Sequence, residues 1–396
     1  VQSSIEYRSP ADASEMLAFA RVLAECFPGA FMNERVEDWP KADDPAHVRI
    51  ASVGGSVAGG LVTLPIGQWF GGRRVGMAGI RFVGVAPDRR AGGVATALMR
   101  AALYEAHAAG QPLSTLYPAT QPVYRRVGYE QAGVNMQFRL DLQRIPLRDR
   151  DLRLRRVDPN AEAESLRRLY QTRAARTAGN LDRDGVRLLW DRVTRPRGAS
   201  EALVFSVEDD AGPQGYIAYA FRNETPASRY DLLVTDFVAL TAAAARRMVS
   251  HLADHHSQGA NALLRIEPAA AALLCLDEQR ARIHDHFAWM LRIVDVKGAL
   301  EQRGYPPELQ AELHLEVHDD VLPWNDGRFV LAVADGRGEV RAGGRGSLQI
   351  QARGLAPLYS GYLSALELEV SGLAAGDVEP AARLFSGARP WMSDWF

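Results

Sequence analysis

Arg90, Gly93 and Ala95 stand in the spacing R-x-x-G-x-A within Val83–Arg100, VGVAPDRRAGGVATALMR. The stretch reads as a strand, a proline-marked loop, a run of small residues and a helix. A helix beginning there leaves its first backbone N–H groups unpaired, with the positive end of the helix dipole behind them. Ala91, Gly92, Gly93 and Ala95 lack bulk, so diphosphate oxygens can approach those amides closely. The chemistry is the gripping of a polyphosphate. No Lys-Ser/Thr follows the glycines and no G-x-G-x-x-G spacing is present, so neither a Walker loop nor a dinucleotide fingerprint fits. The structural alternative is a plain tight turn.

A second signal is Tyr117-Pro-Ala-Thr-Gln-Pro-Val-Tyr124-Arg-Arg-Val-Gly128-Tyr129. Thr120 can cap a short helix, Pro122 suits its first turn and Gly128 its left-handed close. Tyr124 falls in that helix, where its ring can simply pack with the hydroxyl at the rim, whereas Tyr129 reads as core. The third signal is the end, Pro390-Trp-Met-Ser-Asp-Trp-Phe396, too apolar for a fraying terminus. His251, His255 and His256 have helical spacing without a third ligand, so no metal site is expected. His314 and His318 alternate with Leu313, Leu315 and Val317 and are expected to face solvent.

These groups need elements to position them. Strands at Ser4–Arg8, His47–Val53, Ser56–Leu64, Ile80–Val85 and Pro112–Tyr117, and one from Tyr129, are predicted. Helices fall at Ala13–Cys26, about Phe31–Trp39, Val94–Ala108 and the Tyr124 segment. The order β-α-α-β-β-β-α-β-α-β, with the R-x-x-G-x-A loop between strand and helix, resembles the GNAT acyltransferases. A helix at Ala161–Thr177, strands at Ala202–Val207, Gly215–Phe221 and Tyr230–Leu240, a helix at Ala242–His256 and a strand at Ala262–Ile266 repeat that order. This copy lacks the R-x-x-G-x-A spacing at Thr241–Arg246 and is expected not to bind the nucleotide. The phrase Trp289–Tyr305 and the alternating strands after it resemble the Eis (enhanced intracellular survival) acetyltransferases over the whole chain. The fold class expected is α+β: an active GNAT domain at 1–145, a degenerate one at 146–286, and a sterol-carrier-protein-like domain at 287–396.

The resemblance implies acetyl-CoA as co-substrate. It would be held by the strand at Phe82, Val83, Gly84 and Val85 and by the loop and helix start at Arg90, Ala91, Gly92, Gly93, Val94 and Ala95. It implies Tyr124 as general acid and the terminal carboxylate of Phe396 as general base. A terminal carboxyl titrates at roughly 3.3–3.7 in water, and desolvation raises it. Phe27, Phe31, Trp39 and Trp395 would line the acceptor pocket, where Glu34, Glu37, Asp38, Asp43 and Asp44 suit a polycation. Acceptors implied are aminoglycosides at several positions, with protein or peptide amines as the alternative, and the assembly implied is a hexamer. The chain departs from the family pattern at Val127, where an aromatic is common, and in having fewer arginines in the cofactor loop.

Composition narrows the remaining classes. The chain has 396 residues, 47% hydrophobic and 24% charged, enough for two or three cores. A net charge of -2 gives no pull toward nucleic acid or anionic membrane. Arg139–Arg156 carries seven arginines and three aspartates without interleaved aromatics, which reads as a solvated linker. Cys26 and Cys275 stand in apolar contexts, as reduced core thiols of a cytoplasmic protein would. No signal peptide is read, and no apolar run is long enough for a bilayer. A non-catalytic protein holding an apolar ligand in its carrier-like part is the reading from another class.

Overall fold

The computed structural model describes residues 5–28, 36–38, 44–222 and 229–396. The first part runs β1 (Ile5–Arg8), α1 (Ala13–Cys26), β2 (Val48–Val53), β3 (Ser56–Phe70), β4 (Arg73–Val85), α2 (Val94–Ala108), β5 (Leu113–Leu116), α3 (Gln121–Arg125) and β6 (Glu130–Asp141). This is the expected order. The helix expected at 31–39 lies outside the described residues, except for a 3-10 turn at Val36–Asp38. Asp12 starts α1 by accepting from the N–H groups of Ser14 and Glu15, and Met16, Phe19, Ala20 and Leu23 bury one helical face.

The second part comprises β7 (Arg153–Val157), α4 (Ala163–Ala174), β8 (Leu181–Asp182), α5 (Arg187–Thr194), β9 (Leu203–Asp209), β10 (Gly212–Arg222), β11 (Tyr230–Ala239), α6 (Ala242–Ala253), β12 (Gly259–Arg265), α7 (Ala271–Leu274) and β13 (Arg282–Ile293). The arginine-rich stretch is not simply a linker. Arg139 in β6 faces Leu263 of β12, and Arg153–Val157 pairs with β9. Leu154 and Val157 pack into the second part's cores, while Arg153 and Arg155 both pair with Glu208. Charge density hid a strand whose cations are matched across the sheet.

One large sheet joins both parts in the order β1-β2-β3-β4-β5-β13-β6-β12-β11-β10-β9-β7, with β8 pairing β3. β13 lies between β5 and β6. Trp289, expected within a third domain beginning at 287, therefore stands in the large sheet, where Trp289–Ile293 is wholly buried.

The third part holds α8 (Val296–Gln302), β14 (Ala311–His318), β15 (Gly327–Ala334), β16 (Arg337–Ala342), β17 (Leu348–Gln351), α9 (Ala352–Ser360), α10 (Ala365–Val370), β18 (Ala374–Gly376) and α11 (Glu379–Leu384). Its sheet runs β16-β15-β14-β17-β18. One apolar core continues from Phe19 and Phe70 of the first part to Tyr359 and Phe385 here. His314 is a correction: it is buried, its Nδ1 accepts from the Arg345 N–H at 3.1 Å, and Nε2 meets Glu312 at 2.8 Å. His318 is exposed as expected. Cys26 and Cys275 are partly exposed rather than core thiols, because one ends α1 and the other follows α7.

Candidate active site

β4 and β5 pair in parallel from Met77 opposite Leu113 to Ile80 opposite Leu116, and no further. Past Ile80, β4 continues to Val85 against β3 alone. At the parting, Gly60 faces Gly84 and Val62 faces Arg81, so Phe82 and Val83 together oppose Leu61. This is a β-bulge, which bends the strand and re-aims its backbone. Phe82 adopts a φ of 53°, and such a conformation costs about 1–3 kcal/mol in a non-glycine residue. The open side of Arg81–Val85 can accept an extended ligand as a further strand. Val85's carbonyl already accepts from the Cys26 thiol and the Arg90 guanidinium, both at 3.4 Å, contacts long enough for a better donor to displace.

The strand leads through Pro87–Arg89 to α2. Gly93 is the N-cap at a φ of 80°, and no side chain caps the helix. Pro87–Gly93 is exposed, and a side chain added at Gly93 would meet nothing within 4 Å. The loop around Arg90–Ala95 thus leaves free amides, open space and no competing carboxylate in the first turn, which fits a diphosphate.

Tyr124 sits in α3, which packs on α2. Thr120 occupies the cap position, although its side chain makes no cap hydrogen bond. Tyr124 is buried, its ring 6.2 Å from that of Tyr129, and its hydroxyl makes no hydrogen bond to a described residue. Desolvation pushes the phenol up to about 12, so it keeps its proton at ordinary pH and can serve as an acid. Tyr129 is core, its hydroxyl 2.6 Å from that of Ser114.

The C-terminal segment enters this same opening. Met392 N–H donates to Val134 O at 2.9 Å, and Val134 N–H to Pro390 O at 3.1 Å, so the tail lies along β6. Tyr117, directly after β5, donates its hydroxyl to the Asp394 carbonyl at 2.9 Å and stacks on Trp395 at 4.0 Å. Phe396 is buried against Gly79 of β4, where a Cβ would come within 2.9 Å of its ring. Only glycine admits the last ring there. The tail therefore docks on the first and second parts rather than on its own domain.

What holds it there was not read from the sequence. Arg183, fully buried between β8 and α5, donates from Nε to the Asp394 carboxylate at 2.9 Å and from Nη1 to Asp236. Tyr170 donates to Asp394 at 3.1 Å, and Tyr216 to Asp236 at 2.6 Å. Burial works against the Arg183 charge, but Asp236 and Asp394 outweigh it and hold its pKa well above the ordinary value. The signal was Asp394 itself, since a carboxylate in a buried apolar tail requires a buried cation.

Of the aromatics expected around the acceptor, Phe27 packs edge-on to Phe82 at 6.2 Å, and Trp395 lines a cavity beside the bulge. Phe31 and Trp39 lie outside the described residues, as do Glu34 and Asp43. Asp44 caps a 3-10 turn by accepting from Ala46 N–H, and Glu37 is exposed. His251 and His255 bond the hydroxyls of Tyr219 and Tyr230 at 3.0–3.1 Å, and burial lowers His251 to about 4. Among the described residues no cluster of three groups could hold a metal, and no helix is long and apolar enough to cross a membrane.

Comparison with known proteins matches three family models. Residues 6–132 and 179–293 match two acetyltransferase (GNAT) domains, and 296–393 a sterol carrier protein domain. An uncharacterized N-acetyltransferase of Streptomyces avermitilis is 30% identical over 355 residues, 85% of this chain and 84% of that protein. N-acetyltransferase Eis of Mycobacterium tuberculosis is 28% identical over 281 residues, 66% of this chain and 64% of that one. The crystal structure of a GCN5-related N-acetyltransferase from Anabaena variabilis superposes with a TM-score of 0.93 at 36% identity, covering 99% of this chain and 100% of that one.

Proposed function

Given that the chain belongs to the GCN5-related N-acetyltransferases and has the Eis-like architecture, we propose direct acetyl transfer from acetyl-CoA to an amine at the parting of β4 and β5. The diphosphate rests on the amides around Arg90–Ala95, where each charge-assisted hydrogen bond contributes about 1.5–3 kcal/mol. The pantetheine arm follows the open side of Phe82–Val85. The Phe396 carboxylate takes a proton from the amine, and the nitrogen attacks the thioester carbonyl. The carbon–sulfur bond breaks, Tyr124 protonates the sulfur, and solvent returns a proton to the phenolate. The products are an N-acetyl amine and coenzyme A thiol.

The observation that carries this reading is the convergence of an uncapped α2, a bulged β4 and the buried chain end on one opening. Within it, aminoglycosides acetylated at more than one position, with the antibiotic resistance that follows, are the acceptors the family resemblance implies. Peptide amines are the alternative, and a cytoplasmic hexamer is the assembly, to be read as a six-chain mass by light scattering. Thiol release from acetyl-CoA in the presence of amines tests the residue roles. Tyr124→Phe and a chain extended beyond Phe396 should each lose activity on the order of a hundredfold, the usual worth of a positioned acid or base. Full activity in both would refute the roles.

A further inference from the structure

α3, which carries Tyr124, has only five residues, far below the length at which a helix holds itself in water. Thr120 gives it no side-chain cap, so its direction is set by tertiary contacts. Besides α2, two of these contacts trace back to the third part of the chain.

The first runs through Glu130. Arg125, the last residue of α3, donates to the Glu130 carboxylate from Nε at 3.0 Å and from Nη2 at 2.7 Å. Glu130 opens β6, is buried, and also accepts from the Gln131 N–H at 3.0 Å. Its other cation is Arg353, the second residue of α9, whose Nε donates to the same carboxylate at 3.1 Å. Burial works against the Glu130 charge, but Arg125 and Arg353 outweigh it and hold its pKa below the ordinary value.

The second contact lies under the turn that closes α3. Gly128 adopts a φ of 86°, and a Cβ there would come within 2.7 Å of the Arg292 guanidinium. Arg292 is itself buried and paired at 2.6 Å with Asp319, which follows β14. Val321 and Leu322 donate their N–H groups to Asp319 and share one apolar core with Tyr124 and Val127. Asp319, Val321, Leu322 and Arg353 all lie within the residues that match the sterol carrier protein domain.

We propose that the carrier-like part aims the acid: Arg353, acting through Glu130 and Arg125, is a positioning residue for Tyr124. This rests on the reading of Tyr124 as the group that protonates the sulfur. Tyr124 and Arg125 are neighbours in one short turn, so whatever shifts Arg125 shifts the phenol with it. A displacement of about 1 Å at a reacting group can cost on the order of a hundredfold in rate. Arg353 is partly exposed, and its loss leaves Glu130 paired with Arg125, so the change touches aim more than folding.

The test is a double-mutant cycle on the full chain, with thiol release as the readout and thermal unfolding and acetyl-CoA calorimetry beside it. Arg353→Met should lower kcat about tenfold with little change in acetyl-CoA affinity, and Arg353→Lys should recover part of the loss. In the Tyr124→Phe background the same Arg353→Met change should cost almost nothing, because no phenol is left to misplace. Arg353→Gln carries the same comparison should the methionine variant fail to fold. An equal loss in both backgrounds, a loss confined to KM, or an unchanged kcat in Arg353→Met while Tyr124→Phe is impaired would overturn the positioning role alone. Full activity in Tyr124→Phe would overturn the acid reading beneath it.

Discussion

The two acetyltransferase-like copies share a fold and differ at the two places where the chemistry would occur. In the first, eight residues separate β4 from α2, and the helix opens on Gly93 without a side-chain cap. In the second, only Leu240 and Thr241 separate β11 from α6, and Thr241 accepts from the Ala244 N–H at 3.2 Å. The second helix start is satisfied internally, so a diphosphate finds neither free amides nor a loop to wrap it.

The partings between strands differ in the same sense. β11 also carries a bulge, since Ala218 faces Asp236, Tyr219 faces Val234, and Thr235 is left over. Thr235 then donates to the Val193 carbonyl at 2.7 Å, and Asp236 binds Arg183. The first opening admits the chain end; the second is filled by a buried ion pair that anchors that chain end through Asp394. The second copy thus anchors the chain end at the opening of the first.

The largest effect expected from breaking this division of labour is in Arg183→Met. It strands Asp236 and Asp394 in the interior, and removing one partner of a buried pair costs about 3–5 kcal/mol. Thermal unfolding should show the loss. Proteolysis should cut the released tail at Trp391–Phe396, and turnover should fall more than acetyl-CoA affinity. An unchanged melting point with an intact tail would refute the anchoring role.

Next in size is the phenol that the first copy has and the second lacks, since α7 at the corresponding place reads Ala-Ala-Leu-Leu. The folded pKa of Tyr124, about 12, exceeds the ordinary 10.0. Its stabilising contribution is therefore complete below pH 10 and lost as pH rises toward 12, amounting to about 2–3 kcal/mol. Denaturant unfolding of Tyr124→Phe between pH 10 and 12 should be flatter than wild type by that amount. The same slope in both proteins would place the phenol in water.

The smallest effect expected is in Thr241→Ala, which uncaps α6 at a cost of about 1 kcal/mol. It should lower the melting point slightly and leave acetyl-CoA affinity unchanged.

The sequence disclosed the first copy almost entirely because its signals are local. Glycine pairs mark hairpins, apolar spacing marks α1 and α2, and the R-x-x-G-x-A run marks the loop that leads into α2. Three features escaped for want of a local signal. β7 was masked by arginines whose carboxylate partners lie far along the chain, such as Glu208 for Arg155. The insertion of β13 between β5 and β6 is a pairing choice that no run of residues encodes. His314 alternates as a surface residue would, yet is buried by the turn at Gly344 and Arg345. The Arg183–Asp394 link spans 211 positions, so only Asp394's misfit in its apolar segment hinted at it.

On this division of labour one copy alone would bind coenzyme A, through the uncapped start of α2. Calorimetric titration of the wild type, Gly93→Asp and Thr241→Gly with acetyl-CoA tests it directly. Aspartate tolerates the left-handed conformation of position 93, fills the cap and repels phosphate. One site per chain, at least a tenfold loss (about 1.4 kcal/mol) in Gly93→Asp, and no change in Thr241→Gly are expected. Two sites per chain, or wild-type affinity in Gly93→Asp, would contradict it.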